Sequence, residues 1–159
     1  MVKMCEVTKF KIHVTPKNTA QKSLKRKGDL FMYLFVPFLV DICKNYQNLT
    51  DAERRHDYVT KIAKCDNTLD SWYRFQGAAG TKMVTTCPLI KRCGANYPAW
   101  LNGVHPTVAE GTVKRKVCIN RFGSCCDKSV FVQVKNCGSY YIYWLINPWA
   151  CNTRYCSTD

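Results

Sequence analysis

Ten cysteines between positions 43 and 156, two of them adjacent at Cys125-Cys126, constrain this chain more than any other feature. At that density in a small chain, oxidised bridges supply stability that a modest core cannot. A vicinal pair seldom bonds to itself, because the bond strains the peptide between the two residues. Each member is better satisfied by a separate partner, which ties two places of the fold to one point. The set is Cys43, Cys65, Cys87, Cys93, Cys118, Cys125, Cys126, Cys137, Cys151 and Cys156, an even number able to form five bridges. Spacing alone leaves their pairing open. An eleventh cysteine, Cys5, stands apart in the leading segment.

Strand-forming runs surround these cysteines. Val130, Val132 and Val134 alternate with Phe131, Gln133 and Lys135, the period-two pattern of a strand with unlike faces. Asn136-Cys137-Gly138-Ser139 then separates that run from Tyr140–Ile146 and predicts a hairpin. Val113–Ile119 and Trp72-Tyr73-Arg74-Phe75 read as further strands, and Gly77-Ala78-Ala79-Gly80 as a turn. Thr50 with Glu53 fits a capping box, so Thr50–Lys61 is expected to include a short helix. Tyr97–Pro106, with two prolines and Asn102-Gly103, is expected to be a loop anchored by Trp100. The fold class is therefore mainly β: a small disulfide-rich domain with short helical segments and long loops.

Charge divides the chain. Its formal net charge is +13, and residues 1–40 hold eight Lys/Arg against two acids. A basic cluster at 23–28 precedes eleven uncharged residues, Leu30–Val40. That run is shorter than the roughly 20 residues a bilayer span requires, and fits the apolar part of a secretory signal. A buried edge strand is the other reading. We take 1–40 as a basic leader outside the fold and 41–159 as the cysteine-rich domain, with no transmembrane span.

Chemistry-bearing motifs are few. Asn48-Leu49-Thr50 is an N-glycosylation sequon in a polar stretch. Nucleophilic cysteine catalysis needs a free thiolate beside a base, whereas bridges are the better use of these cysteines. Zinc would want paired Cys-x-x-Cys or Cys/His spacings. No metal, no cofactor, no catalytic residue and no nucleic-acid module is expected. The acids Asp66, Asp70, Glu110 and Asp127 read as caps, turns and salt partners. Of the aromatic row Tyr140 to Trp149, half is expected in the core, leaving Tyr141, Tyr143 and Trp149 as surface contacts.

The stretch Cys43–Cys156 resembles the uromodulin-type eight-cysteine extracellular domain, in its ten-cysteine variant. The resemblance rests on Cys43-x-Asn45-Tyr46, Trp72-Tyr73-Arg74-Phe75, Trp100-Leu101-Asn102-Gly103 with His105-Pro106, Glu110-Gly111, Cys125-Cys126, Tyr140-Tyr141-Ile142-Tyr143 and Tyr155-Cys156. It implies a non-enzymatic, secreted or cell-surface β module with extracellular protein or glycan partners. It also implies bridges Cys43–Cys137, Cys65–Cys151, Cys87–Cys125, Cys93–Cys156 and Cys118–Cys126. Mannose-bearing N-glycans are expected of the family. Here Asn147 precedes Pro148 and Asn102-Gly103-Val104 lacks a hydroxyl residue, which leaves Asn48 as the acceptor. An alternative function is a secreted basic effector binding anionic surfaces. It requires Lys91, Arg92, Lys114, Arg115 and Lys116 to cluster on one face.

Overall fold

The computed structural model describes residues 41–159. The expected leader, its apolar run and Cys5 lie outside the described residues. Nine strands are formed: β1 (Gln47–Leu49), β2 (Asp70–Phe75), β3 (Lys82–Met83), β4 (Tyr97–Leu101), β5 (Thr112–Arg121), β6 (Ser124–Asn136), β7 (Tyr141–Ile146), β8 (Thr153–Tyr155) and β9 (Ser157–Thr158). Three single 3-10 turns, Ile42–Lys44, Ala52–Arg54 and Gly77–Ala79, are the helical content of the described residues. Among the described residues no helix is long and apolar enough to cross a membrane.

Seven strands form one mixed sheet in the order β1-β2-β7-β6-β5-β4-β8, and β3 pairs with β9 separately. The β1–β2 and β4–β8 pairs are parallel, and the others antiparallel. The centre is the long β5–β6–β7 meander. Its first turn places Phe122 and Gly123 at φ 52° and 82°, the left-handed pair that a tight hairpin requires. The second is closed by the Cys137 N–H donating to Tyr140 O at 2.8 Å, and by Gly138 N–H donating to the Asn136 side chain at 2.8 Å.

Register divides the side chains. Val113 faces Val134, Val117 faces Val130, and Val134 faces Tyr143, so these residues share one side. With Phe75, Leu101, Ile119, Val132, Leu145 and Tyr155 they line the inner face. Met83 of β3 and Ala79 close over it. At about 25 cal/mol per Å2, burying such side chains is the main apolar stabilisation of the unit. Gly80, at φ 81°, is required here: a Cβ would stand 2.5 Å from the carbonyl oxygen of Thr158, where the turn meets β9.

The expected hairpin forms at the Asn136–Ser139 break, and strands form at the β-rich runs 72–75 and 113–119 and at the alternating run 130–134. Two expectations are corrected. Tyr97–Leu101 is a strand, not a loop. Tyr97 N–H donates to Asn152 O, and Ala99 O accepts from Cys156 N–H, so both face β8. Alternation turns the Pro98 nitrogen towards β5, where pairing begins only at Ala99 opposite Ile119 and a bulge follows. Its missing N–H therefore breaks no ladder bond. The cap at Thr50 is also displaced. Asp51, not Thr50, caps the turn, its carboxylate accepting from Glu53 N–H at 3.2 Å. The turn stops after Arg54 because Arg55 returns to extended backbone.

Five disulfides cross-link these elements: Cys43–Cys137, Cys65–Cys151, Cys87–Cys125, Cys93–Cys156 and Cys118–Cys126. The Cα atoms of each pair stand 4.7–5.8 Å apart, ordinary bridging distances. Four of the bonds span 38 or more residues, and the fifth joins β5 to β6 across their own hairpin.

Candidate interaction surface

The outer face of the large sheet has a different composition from the inner one. Register sets Lys114 opposite Gln133, and Gln133 opposite Trp144, which lies opposite Trp72. Lys116 stands opposite Phe131, and Lys135 lies between Thr112 and Ile142. Phe131 is 54% exposed, and the Lys114 ammonium lies 4.8 Å from its ring centroid. Between them runs a shallow groove of about 380 Å3, lined also by Thr112, Gln133 and Trp144. The Trp72 and Trp144 rings meet edge to face at 5.8 Å, which fixes the groove floor.

Asn48 lies at the far edge of this face, exposed on β1 and paired in register with Arg74. Arg74 is held in turn by the Tyr46 hydroxyl at 3.1 Å and by the Tyr140 ring at 3.9 Å. As the outermost strand, β1 keeps the Asn48 side chain clear of the sheet interior.

The three aromatic surface candidates separate. Trp149 is 51% exposed and in the left-handed region at φ 97°, an uncommon position for a bulky residue. The Arg121 guanidinium lies 4.4 Å from its ring, 4.8 Å from Phe122 and 5.0 Å from Tyr97. Tyr143 is fully buried, contrary to expectation. Its pairing with Val134 puts it on the valine side, so the inward parity of β7 is that of Tyr143 and Leu145 and not that of Trp144. Its hydroxyl accepts from Met83 N–H at 3.0 Å and lies 2.8 Å from His105 Nε2. Tyr141 shares that parity and is half-buried, with its ring 4.5 Å from His105. Burial, then the nearby Lys82 cation, pushes the His105 imidazole down to about 4. It is therefore neutral at pH 7 and serves as a packing and hydrogen-bonding partner for Tyr143.

Strand alternation also separates the basic residues that a cationic effector would need on one side. Lys114 and Lys116 point outward, whereas Arg115 points to the opposite side, bonding Val104 O at 3.2 Å and Glu110 at 3.0 Å. Arg92, in the loop before β4, donates to Asp57 O at 2.7 Å. Lys135 and Phe131 were not singled out by sequence, although their alternation with the valines carried the signal.

The acids mostly find cations. Asp127 pairs with Arg121 at 3.0 Å. Asp66, only 2% exposed, receives two guanidinium nitrogens of Arg54, both at 2.7 Å, and the Tyr155 N–H at 3.0 Å. Arg154 lies beside it at 3.6 Å and reaches Asp51 at 2.8 Å. Among the described residues no three His, Cys, Asp or Glu side chains gather as a metal-ligand set.

Comparison with known proteins agrees with this framework. The family model of the uromodulin-like, eight-cysteine domain matches residues 73–157. Mouse (Mus musculus) uromodulin is 42% identical over 118 residues, covering 74% of this chain and 18% of the relative. Pancreatic secretory granule membrane major glycoprotein GP2 is 41% identical over 118 residues in dog (Canis lupus familiaris), covering 74% of this chain and 23% of the relative. The human (Homo sapiens) protein of that name is 39% identical over 119 residues, covering 74% and 22%. The chain spans about a fifth of the length of these curated relatives. On its cross-linked mixed sheet, its family match and these identities, the chain belongs to the uromodulin-like eight-cysteine domain family.

Proposed function

We propose that this chain is a non-catalytic extracellular module that presents an N-linked glycan at Asn48 from a rigid, cross-linked sheet. The observation that carries the reading is the position of the sequon. Asn48 is exposed on the outermost strand, and Thr50 two residues on is exposed as well. A glycan there would also cover an open strand edge, a site where unpaired backbone groups invite association. The Cys43–Cys137 bond, spanning 94 residues, ties the segment just before the glycan-bearing strand to the β6–β7 turn. A protein or lectin partner would meet the sugar at a fixed orientation. The basic-effector alternative is disfavoured by the opposite facing of Arg115 and Lys114.

Expression of the full chain through a secretory pathway tests the proposal. Peptide-N-glycosidase is expected to lower the mass of the secreted protein, and Asn48→Gln to remove the same mass. The unfolding free energy of Asn48→Gln should differ little, by no more than about 0.5 kcal/mol for an exposed position. A secreted protein whose mass is unchanged by either treatment would overturn glycan presentation.

A further inference from the structure

We propose that the outer face of the β5–β6–β7 meander binds an acidic polysaccharide, with Lys114, Lys116 and Lys135 meeting its sulfate or carboxylate groups and Phe131 stacking on a sugar ring. Charge is the first argument. Arg115, Arg121 and Arg154 each have a carboxylate partner, yet no ion pair among the described residues engages these three lysines. Strand geometry gathers them. Lys114 and Lys116 are two residues apart on β5, about 7 Å. Lys135 lies on the adjoining strand, diagonal to Lys114 at about 7–8 Å between backbones. Asp70, at the start of β2, stands at the margin of this face.

The second argument is the chemistry between the cations. Phe131 is 54% exposed on a strand where alternate valines are buried. Beside it the Gln133 amide and the Thr112 hydroxyl line the same shallow groove. A flat aromatic ring flanked by an amide, a hydroxyl and ammonium groups suits the apolar face, hydroxyls and anionic substituents of a sugar chain. An acidic peptide fits less well. The face offers side chains and no free backbone edge for strand addition, and no deep apolar socket for an anchor residue. A second copy of this chain would bring like charge to a basic face.

The proposal goes beyond glycan presentation at Asn48 and is tested in its absence as well. The secreted full chain, both wild type and Asn48→Gln, is mixed with a heparin-derived hexasaccharide in near-physiological salt. Lysines are then acetylated, and protection is read residue by residue by mass spectrometry, which separates the sheet lysines from all others. Lys114, Lys116 and Lys135 are expected to be protected, with Lys61 and Lys91 still labelled. The K114A/K116A/K135A variant should bind the hexasaccharide at least about tenfold more weakly, corresponding to 1.4 kcal/mol. The charge-matched K44A/K61A/K91A variant should change by less than about twofold. Phe131→Ser should weaken binding while leaving its salt dependence unchanged, since it removes no charge. None of the substituted residues is buried, and thermal unfolding verifies that each variant is folded. Protection confined to other lysines, or equal weakening by the two triple variants, would overturn the proposal. Polyglutamate giving the same protection as the hexasaccharide would do so too, in favour of an acidic protein.

Discussion

Reducing the five disulfides is expected to unfold residues 41–159 at room temperature. On a chain-entropy account, each bond stabilises by restricting the unfolded chain. The eight-residue Cys118–Cys126 span gives about 2.5 kcal/mol and the 94-residue Cys43–Cys137 span about 4.7 kcal/mol. These contributions do not simply add. Even so, together they are comparable to the whole stability of an ordinary domain, about 5–15 kcal/mol. Two of the nine strands hold only two residues and two only three, too short to persist without cross-links. Bonds with an exposed sulfur partner, at Cys125, Cys126 or Cys151, should open first. Cys93–Cys156, with both residues fully buried, should open last. Near-ultraviolet dichroism during stepwise reduction measures this, and a fully reduced sample that keeps its native spectrum would contradict it.

The second large effect is expected at Asp66. This carboxylate sits beneath Arg54 and Arg154, which are 5% and 4% exposed. Asp66→Ala leaves two guanidinium groups in the interior without their shared anion. Breaking a buried pair from one side costs about 3–5 kcal/mol. For a unit of this size that lowers the midpoint by roughly 10–20 °C, read by thermal unfolding with the disulfides intact. The network joins the 3-10 turn at Ala52–Arg54 to β8, and Gly94 lies against it. A Cβ at Gly94 would stand 2.5 Å from Arg154 Nη1. A change of less than about 1 kcal/mol for Asp66→Ala would show that the arginines find other partners or water.

Much of the fold was legible in the chain. Alternation named the faces of β6, the Cys137-Gly138 break named the β6–β7 hairpin, and cysteine density named the stabilising chemistry. Three features were not legible, for identifiable reasons. Strand β4 was hidden because Pro98 and Asn102-Gly103 read as loop residues. Only the register reveals that the proline nitrogen faces a gap in the ladder. Tyr143 was misplaced because an aromatic run such as Tyr140–Trp144 has no polar residues to mark parity; its pairing with Val134 decides it. The Arg54–Asp66–Arg154 cluster joins residues far apart along the chain, and nothing local in the sequence sets their separation to 2.7–3.6 Å. The outer lysines were visible singly. Their common orientation, and the opposite orientation of Arg115, became apparent only once β5 had a register.

Peptide mapping of the secreted chain under non-reducing conditions tests the central claim most directly, that oxidised cross-links define this β module. The account predicts five bonds, Cys43–Cys137, Cys65–Cys151, Cys87–Cys125, Cys93–Cys156 and Cys118–Cys126, with the peptide holding Cys125-Cys126 linked to both the Cys87 and the Cys118 peptides. None of these ten thiols should be open to alkylation. Free thiols among the ten, a bound metal ion, or a Cys125–Cys126 link would contradict it.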